Sequence, residues 1–458
     1  MVAAHVTGPV GGGRRGWPFA ASADDLAGRG YTEEEWFVAG LARSYRHVTG
    51  TGRRWNGRWS AEPHAETPYL TRMLVRRPVE GARANGTVVL MWSNVSLGYE
   101  ILTGETDELY DGGFVFAAIG AQRIGIHGYP GDRRGLVDWD PQRYGALTIA
   151  DDGLSWDIFT DAARLLRHEG ALTAGAPVER VLALGVSQSA TRLATYLNAI
   201  QPLEGALDGF LLDVYFGTGS PLEPAGGAAG VARVADVNAA AAKMPAGAHL
   251  LRDDLDVPVF VVNSETESTR YVTVRQPDTD RFRCWEVAGV AHGTTVPSER
   301  IVSPWARDLG SIRHPMAPDG GTNMLSMEPV RAAALHHMQR WLTEAGAPPT
   351  ATHLHLRGDP AVVERDADGI ACGGVRLPDV AVPLAAHRGL GPGDELAMFG
   401  SSAAFDADEL RRRYRDPAGY LECYDRALDA AVAAGVVLPR YREGLRSRAE
   451  REAAARFG

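Results

Sequence analysis

Three short segments carry side chains from which a nucleophilic site could be built. Val181-Leu-Ala-Leu-Gly185-Val186-Ser187-Gln188-Ser189-Ala190 runs an apolar stretch into a small-x-Ser-x-small turn and then a helical pattern. A tight strand-to-helix turn needs small residues beside the serine, and it lifts the hydroxyl clear at the strand end. The helix that follows aims its first N–H groups at the same point, where they favour a developing oxyanion. A serine hydroxyl is too weakly acidic to attack an ester at neutral pH. It needs a histidine to take its proton and a carboxylate to orient the ring. Val257–Val262 predicts a strand running into Asn263-Ser264-Glu265-Thr266-Glu267. Phe282–Val287 predicts another, followed by Ala288-Gly289-Val290-Ala291-His292-Gly293. Serine, acid and histidine thus come in order, 80 and then 25 residues apart. Glu265 and Glu267 compete for the carboxylate role. Counting from the strand end favours Glu267, with the other solvated or bound to Arg270.

A second donor for the oxyanion must join the Gln188 amide, and the loop Ser93-Asn94-Val95-Ser96-Leu97-Gly98 after the strand-like Thr87–Trp92 supplies candidates in Asn94, Val95 and Ser96. A decoy turn, Gly400-Ser401-Ser402-Ala403-Ala404, lacks an immediate helix, and no histidine lies downstream of Ser402. His336 and His337 fall on different faces of a helical pattern. His353 and His355 alternate in a strand pattern with no nearby carboxylate, which argues against zinc. Asp132, Asp138 and Asp140 read as solvated or paired with arginines. Gly226–Gly230 follows no strand and lacks the P-loop lysine, so no nucleotide and no cofactor is expected.

These residues need a frame that brings strand ends together. The near-continuous apolar runs Thr87–Met91, Phe114–Ile119, Val181–Leu184, Phe210–Phe216 and Val257–Val262 read as strands buried on both faces. Asp157–His168 and Thr191–Ile200 repeat apolar residues at helical spacing between them. The class is therefore α/β, with a mostly parallel sheet. Residues 1–85 read as short extended pieces such as Thr71–Arg76. The Ala/Gly-rich stretch 217–256 reads as a cap inserted over the sheet edge. A catalytic region over 1–350 includes a late helix at Arg331–Leu342. An elaboration over 351–458 is β-like to about residue 400, then helical from a capping signal at Asp406 and Glu409 to Gly435.

Taken together, Met91-Trp92-Ser93-Asn94-Val95-Ser96, Gly185-Val186-Ser187-Gln188-Ser189, and Asn263-Ser264-Glu265-Thr266-Glu267 with Ala288–Gly293 resemble an α/β-hydrolase domain family that reads W-x-N-V-S, G-V-S-Q-S and E-V-A-G-x-A-H. Thr7–Phe19, Ala121-Gln122-Arg123, Trp139–Gly145 and Asp157-Ile158-Phe159 match in the same order, so the resemblance spans most of the chain. It implies an α/β-hydrolase fold and a carboxylesterase-type serine hydrolase. Two segments depart from the family pattern, Ile126–Gly135 and Asn323–Pro329, and both are expected to line the substrate pocket.

Composition narrows the alternatives. The chain has 458 residues and a formal charge of −10, which offers no basic footprint for nucleic acid or anionic lipid. Lys243 is the one lysine, so Schiff-base chemistry has a single possible site. Three scattered cysteines support neither a disulfide framework nor a zinc ribbon. With no apolar leader and no membrane-length run, the expected setting is cytoplasmic, with no membrane partner. The expected partner is a small-molecule ester. Acyl transfer or lactone formation through the same acyl-enzyme is the alternative chemistry, and a non-catalytic binding protein on the same scaffold is the alternative of another class.

Overall fold

The apolar runs become the middle of a nine-stranded sheet in the computed structural model, which describes residues 4–48, 56–223, 249–293, 299–311, 322–344, 346–390 and 398–457. In chain order the strands are β1 (His5–Thr7), β2 (Tyr31–His47), β3 (Ala61–Pro78), β4 (Thr87–Trp92), β5 (Val115–Ile119), β6 (Arg180–Val186), β7 (Gly209–Asp213), β8 (Val259–Ser264) and β9 (Phe282–Val287). Their order across the sheet is β1-β2-β3-β5-β4-β6-β7-β8-β9. From β5 to β9 every neighbouring pair is parallel. Every residue of β4, β5, β7, β8 and β9 is buried, as continuous apolar runs require. The chain winds from β4 outward to β5, then returns to β6 and winds the other way. That reversal opens a crevice beyond the C-terminal ends of β4 and β6.

Helices cover both faces. Helix α1 (Ser155–His168) buries Ile158, Phe159, Ala162, Leu165 and Leu166, and Phe159 stacks on Trp92 of β4 at 4.6 Å. Helix α2 (Gln188–Thr195) continues β6 with no intervening loop, and α3 (Glu265–Tyr271) does the same for β8. Helix α4 (Glu328–Glu344) packs on the other face. Helix α5 (Ala407–Tyr414) starts where Asp406 accepts the Glu409 N–H at 2.7 Å, and α6 (Pro417–Ala433) buries Tyr420, Tyr424, Leu428 and Ala431 before Gly435 at φ 73°.

The N-terminal region differs from its reading as short pieces. β2 and β3 form one antiparallel hairpin of 17 and 18 residues. Its distal half is rich in charge and contains Pro63 and Pro68, which hid it. Those prolines are tolerated because β5 pairs only with Met73–Arg76, leaving the outer part of β3 with an open edge. Among the described residues, the β-like reading of 351–400 shrinks to two small ribbons, Leu356–Arg357 with Val362–Val363 and Ala385–Arg388 with Ser401–Ala404. Val375 bridges to Val287, so this region lies along β9, and its apolar side chains enter the same cluster as those of β8 and β9.

A buried ionic group fastens the hairpin to the sheet. Arg72 on β3 meets Glu35 of β2 at 2.8 Å and Glu100, beyond β4, at 2.5 Å; Arg143 meets the other Glu35 oxygen at 2.6 Å. Tyr144 donates to Glu35 at 2.8 Å. Charges this deep are tolerable only while each keeps its partner. Arg72→Met should lower the unfolding free energy by about 3–5 kcal/mol, read as a drop in urea midpoint with little change in slope.

Candidate active site

The serine turn is built from a constraint on its neighbours. Ser187 closes β6 at φ 58° and ψ −113°, a conformation an L-residue adopts only when its surroundings impose it. A Cβ on Gly185 would lie 2.7 Å from the Ser189 oxygen and 2.8 Å from the Ala190 nitrogen, so α2 can back onto the strand only over glycine. Ser189, the second small residue, accepts the Val186 N–H at 2.8 Å and donates to the Val186 carbonyl at 3.0 Å. The Ser187 N–H donates to the Asp213 carbonyl of β7 at 2.9 Å.

The carboxylate stands two strands further along the sheet and the histidine three. Ser264 caps α3, and Glu267 returns the bond: its Oε2 accepts the Ser264 N–H and hydroxyl, each at 2.7 Å. The other oxygen, Oε1, lies 2.7 Å from Nδ1 of His292. Glu267 is fully buried and the His292 side chain is 10% exposed. Ser264-x-x-Glu267 is capping-box spacing, a signal in the sequence that could have separated the two glutamates. Glu265 is neither solvated nor bound to Arg270, contrary to expectation. It is buried, accepting from Arg365 at 2.6 Å and from the Gly289 N–H at 2.9 Å. Arg270 instead lies over the Phe216 ring at 5.7 Å, and Phe216 packs against the His292 ring at 5.1 Å.

The histidine loop is held from several sides. Thr266 accepts the His292 N–H at 2.9 Å, and Asn323 donates to the Gly289 carbonyl at 2.6 Å. Asn323 therefore braces the loop from a fully buried position, where pocket lining was expected of its segment. Asp213, at the end of β7, is buried against Arg331 at 2.6 Å; desolvation raises its carboxyl and Arg331 opposes the rise. Neither residue carried a signal in the sequence.

The loop after β4 sorts its candidate donors. Asn94 spends its N–H on the Ile101 carbonyl at 3.2 Å and its Nδ2 on the Val186 carbonyl at 2.9 Å. The Ser96 N–H and hydroxyl both donate to Asn94 Oδ1, at 2.9 and 2.7 Å. These two residues therefore shape the loop, where donor roles were expected. The Val95 N–H points to Gln188 Oε1 at 3.2 Å, beside the start of α2.

Several other expectations change. Ser402 does have a histidine neighbour, upstream rather than downstream: His387 Nδ1 lies 2.8 Å from its hydroxyl. The two are cross-strand partners in a ribbon, and Ser402 also accepts the Met324 N–H at 3.1 Å, so no turn presents the hydroxyl. His353 does have a carboxylate nearby, since Cys284, Glu286 and His353 converge within 4.8 Å. Arg275 holds both Glu286 oxygens, at 2.9 and 2.7 Å, and burial pushes the Cys284 thiol up, so the group lacks the negative charge a cation needs. Asp140 is buried and accepts the Arg15 and Arg143 N–H groups, while Asp132 pairs with Arg134. His336 meets Glu108 at 3.0 Å and His337 meets the Gly435 carbonyl at 2.8 Å. The cap reading rests mostly on 224–248, outside the described residues. Its two flanks meet where the Gly219 N–H donates to His249 at 2.9 Å; the Ser220 carbonyl accepts from Thr195 at the end of α2, and the Leu250 carbonyl from Asn198 in the helix that continues it.

Two tests follow from this packing. Gly185→Ala should lower the melting temperature by several degrees and abolish labelling of Ser187 by a fluorophosphonate, because α2 must move off the strand. Burial pushes His387 down to about 4. Its folded value lies below the ordinary ~6.5 of the unfolded chain. The stability it contributes is thus complete above about pH 6.5 and is lost as pH falls toward 4. His387→Gln should flatten that part of a denaturation-midpoint against pH curve.

No curated protein matches the chain. Among solved structures, the esterase Est22 aligns at TM-score 0.32 and 13% identity, covering 59% of this chain and 77% of that one. A hyperthermophilic esterase from Pyrobaculum calidifontis aligns at 0.29 and 13%, covering 58% and 76%. A putative dienelactone hydrolase from Klebsiella pneumoniae aligns at 0.28 and 12%, covering 60% and 98%. Among the described residues no helix is long and apolar enough to cross a membrane. The family profile described as an alpha/beta hydrolase domain matches residues 6–447, nearly the whole chain, and the protein belongs to that family.

Proposed function

We propose that the protein is a serine hydrolase that cleaves a carboxylic ester of a small molecule through an acyl-enzyme. The observation that carries the reading is the 2.7 Å contact between His292 Nδ1 and a fully buried Glu267, on the same sheet edge as a serine in a strained turn. Glu267 has its other oxygen engaged by Ser264, so Oε1 has one task, to hold the Nδ1–H tautomer. Nε2 is then the nitrogen that takes the Ser187 proton.

In the first half-reaction Ser187 Oγ attacks the ester carbonyl while His292 accepts the hydroxyl proton. The carbonyl oxygen becomes an oxyanion facing the N–H groups of Val95 and Gln188. Collapse breaks the bond to the alkoxide, which leaves as the alcohol with the proton from His292. Water then loses a proton to His292 and attacks the acyl group, and the acid departs as Ser187 regains its hydrogen. Phe216 packed on the imidazole limits the orientations that the ring can sample.

A fluorophosphonate probe followed by intact-mass and peptide analysis tests the nucleophile, and a panel of esters tests turnover. Ser187→Ala should lose labelling and at least about four orders of magnitude in kcat, with His292→Ala close behind. Activity within tenfold of wild type in pure Ser187→Ala would sink the reading. Glu267→Gln should cost about three to four orders of magnitude with the fold intact. Glu265→Gln should show instead as lowered thermal stability, because Arg365 and Gly289 lose a charged partner.

A further inference from the structure

A chain of amides, Gln188 half-buried and Gln122 fully buried, runs from the serine turn into the core, and its polarity can be read without ambiguity. Asp152 accepts the Arg123 N–H on one oxygen at 2.8 Å and the Arg192 guanidinium on the other at 2.9 Å. A carboxylate paired with arginine only accepts, so Gln122 must turn its Nε2 toward Asp152, at 3.0 Å. Gln122 Oε1 then faces the Trp92 indole N–H at 3.1 Å and Gln188 Nε2 at 2.8 Å. Both groups are donors, so the orientation of the Gln188 amide is fixed in turn. Its carbonyl oxygen, not its NH2 group, must point at the Val95 N–H, 3.2 Å away.

We infer that the Gln188 side-chain oxygen is the resident occupant of the Val95 oxyanion donor, which the substrate oxygen displaces on binding. The inference rests on the serine hydrolase reading, in which that N–H receives the oxyanion. The amide oxygen is a neutral carbonyl, like the ester oxygen it yields to. It keeps a buried N–H satisfied and aimed in the empty site. A developing oxyanion outcompetes it, because hydrogen bonds to a charged oxygen are about twice as strong. Gln188 is thus a positioning residue through its side chain, and Gln122, Trp92 and Asp152 set which end of that side chain faces the site. The sequence W-x-N-V-S supplies the Trp92 donor, and Gly-Val-Ser-Gln-Ser supplies the plug.

Two variants with opposite expected signs test this, using a trifluoromethyl ketone that forms an anionic hemiketal on the serine. Gln188→Met removes the competing oxygen at similar volume. It should lower the inhibition constant about three- to tenfold, the worth of one neutral hydrogen bond, with the matching gain in substrate binding seen in KM more than in kcat. Gln188→Glu places a charged oxygen on the same donor. It should raise the inhibition constant at least about tenfold at pH 8, by an amount that shrinks as pH falls and the new carboxyl protonates. A purely structural role would weaken inhibition in both variants, and that outcome, or an unchanged constant in Gln188→Met, overturns the inference. Wild-type protein treated with the fluorophosphonate separates the two failures. Absent labelling of Ser187 removes the hydrolase reading and this inference with it, whereas labelling with an unresponsive Gln188→Met removes the inference alone.

Discussion

A serine held at φ 58° and ψ −113° stays there only if the alternatives are closed, and much of the architecture serves that constraint. Gly185 admits α2 against β6, Ser189 satisfies the Val186 backbone on both sides, and the Asp213 carbonyl takes the Ser187 N–H. The parallel pairing of β6 with β7 supplies that last bond, so the turn depends on a strand that follows it in the chain. The reversal of strand order between β4 and β6 then brings the Asn94–Ser96 loop alongside, where Asn94 ties itself to Val186.

Two glutamates two positions apart illustrate how neighbouring carboxylates acquire separate tasks. They sit in the first turn of α3, roughly 200° apart around its axis, so they face different surroundings. Glu267 turns to the histidine, and Glu265 turns to the loop that carries it, binding Gly289 and Arg365. Thr266 between them donates to the Gly389 carbonyl at 2.7 Å while accepting from His292. The first turn of one helix thus orients the imidazole, braces its loop and fastens both to the C-terminal elaboration. That elaboration contributes Arg365, Gly389 and the Met398 carbonyl, which accepts the Gly293 N–H at 2.8 Å. It acts as a buttress for the histidine loop.

Strands buried on both faces were legible because burial forces continuous apolar runs, as in Thr87–Trp92 and Val259–Val262. The long hairpin β2–β3 was not legible, since its outer half is open to water and imposes no such pattern. The serine turn could be read because small residues on both sides of Ser187 are a local steric demand. Gln122, Asp213 and Asn323 could not, because each matters through partners 30 to 118 residues away in the chain, as in Asp213 with Arg331 or Gln122 with Gln188 at a separation of 66.

The order of serine, acid and histidine, the apolar strands and the capping spacing Ser264-x-x-Glu267 are properties of the chain alone, because each reflects a requirement met within a few residues. Which of three consecutive N–H groups stays directed at the serine turn, and which end of the Gln188 amide faces it, were decided only by the fold. Those choices depend on hydrogen bonds between segments far apart in sequence. A donor or acceptor buried by folding takes the partner that the tertiary structure brings to it.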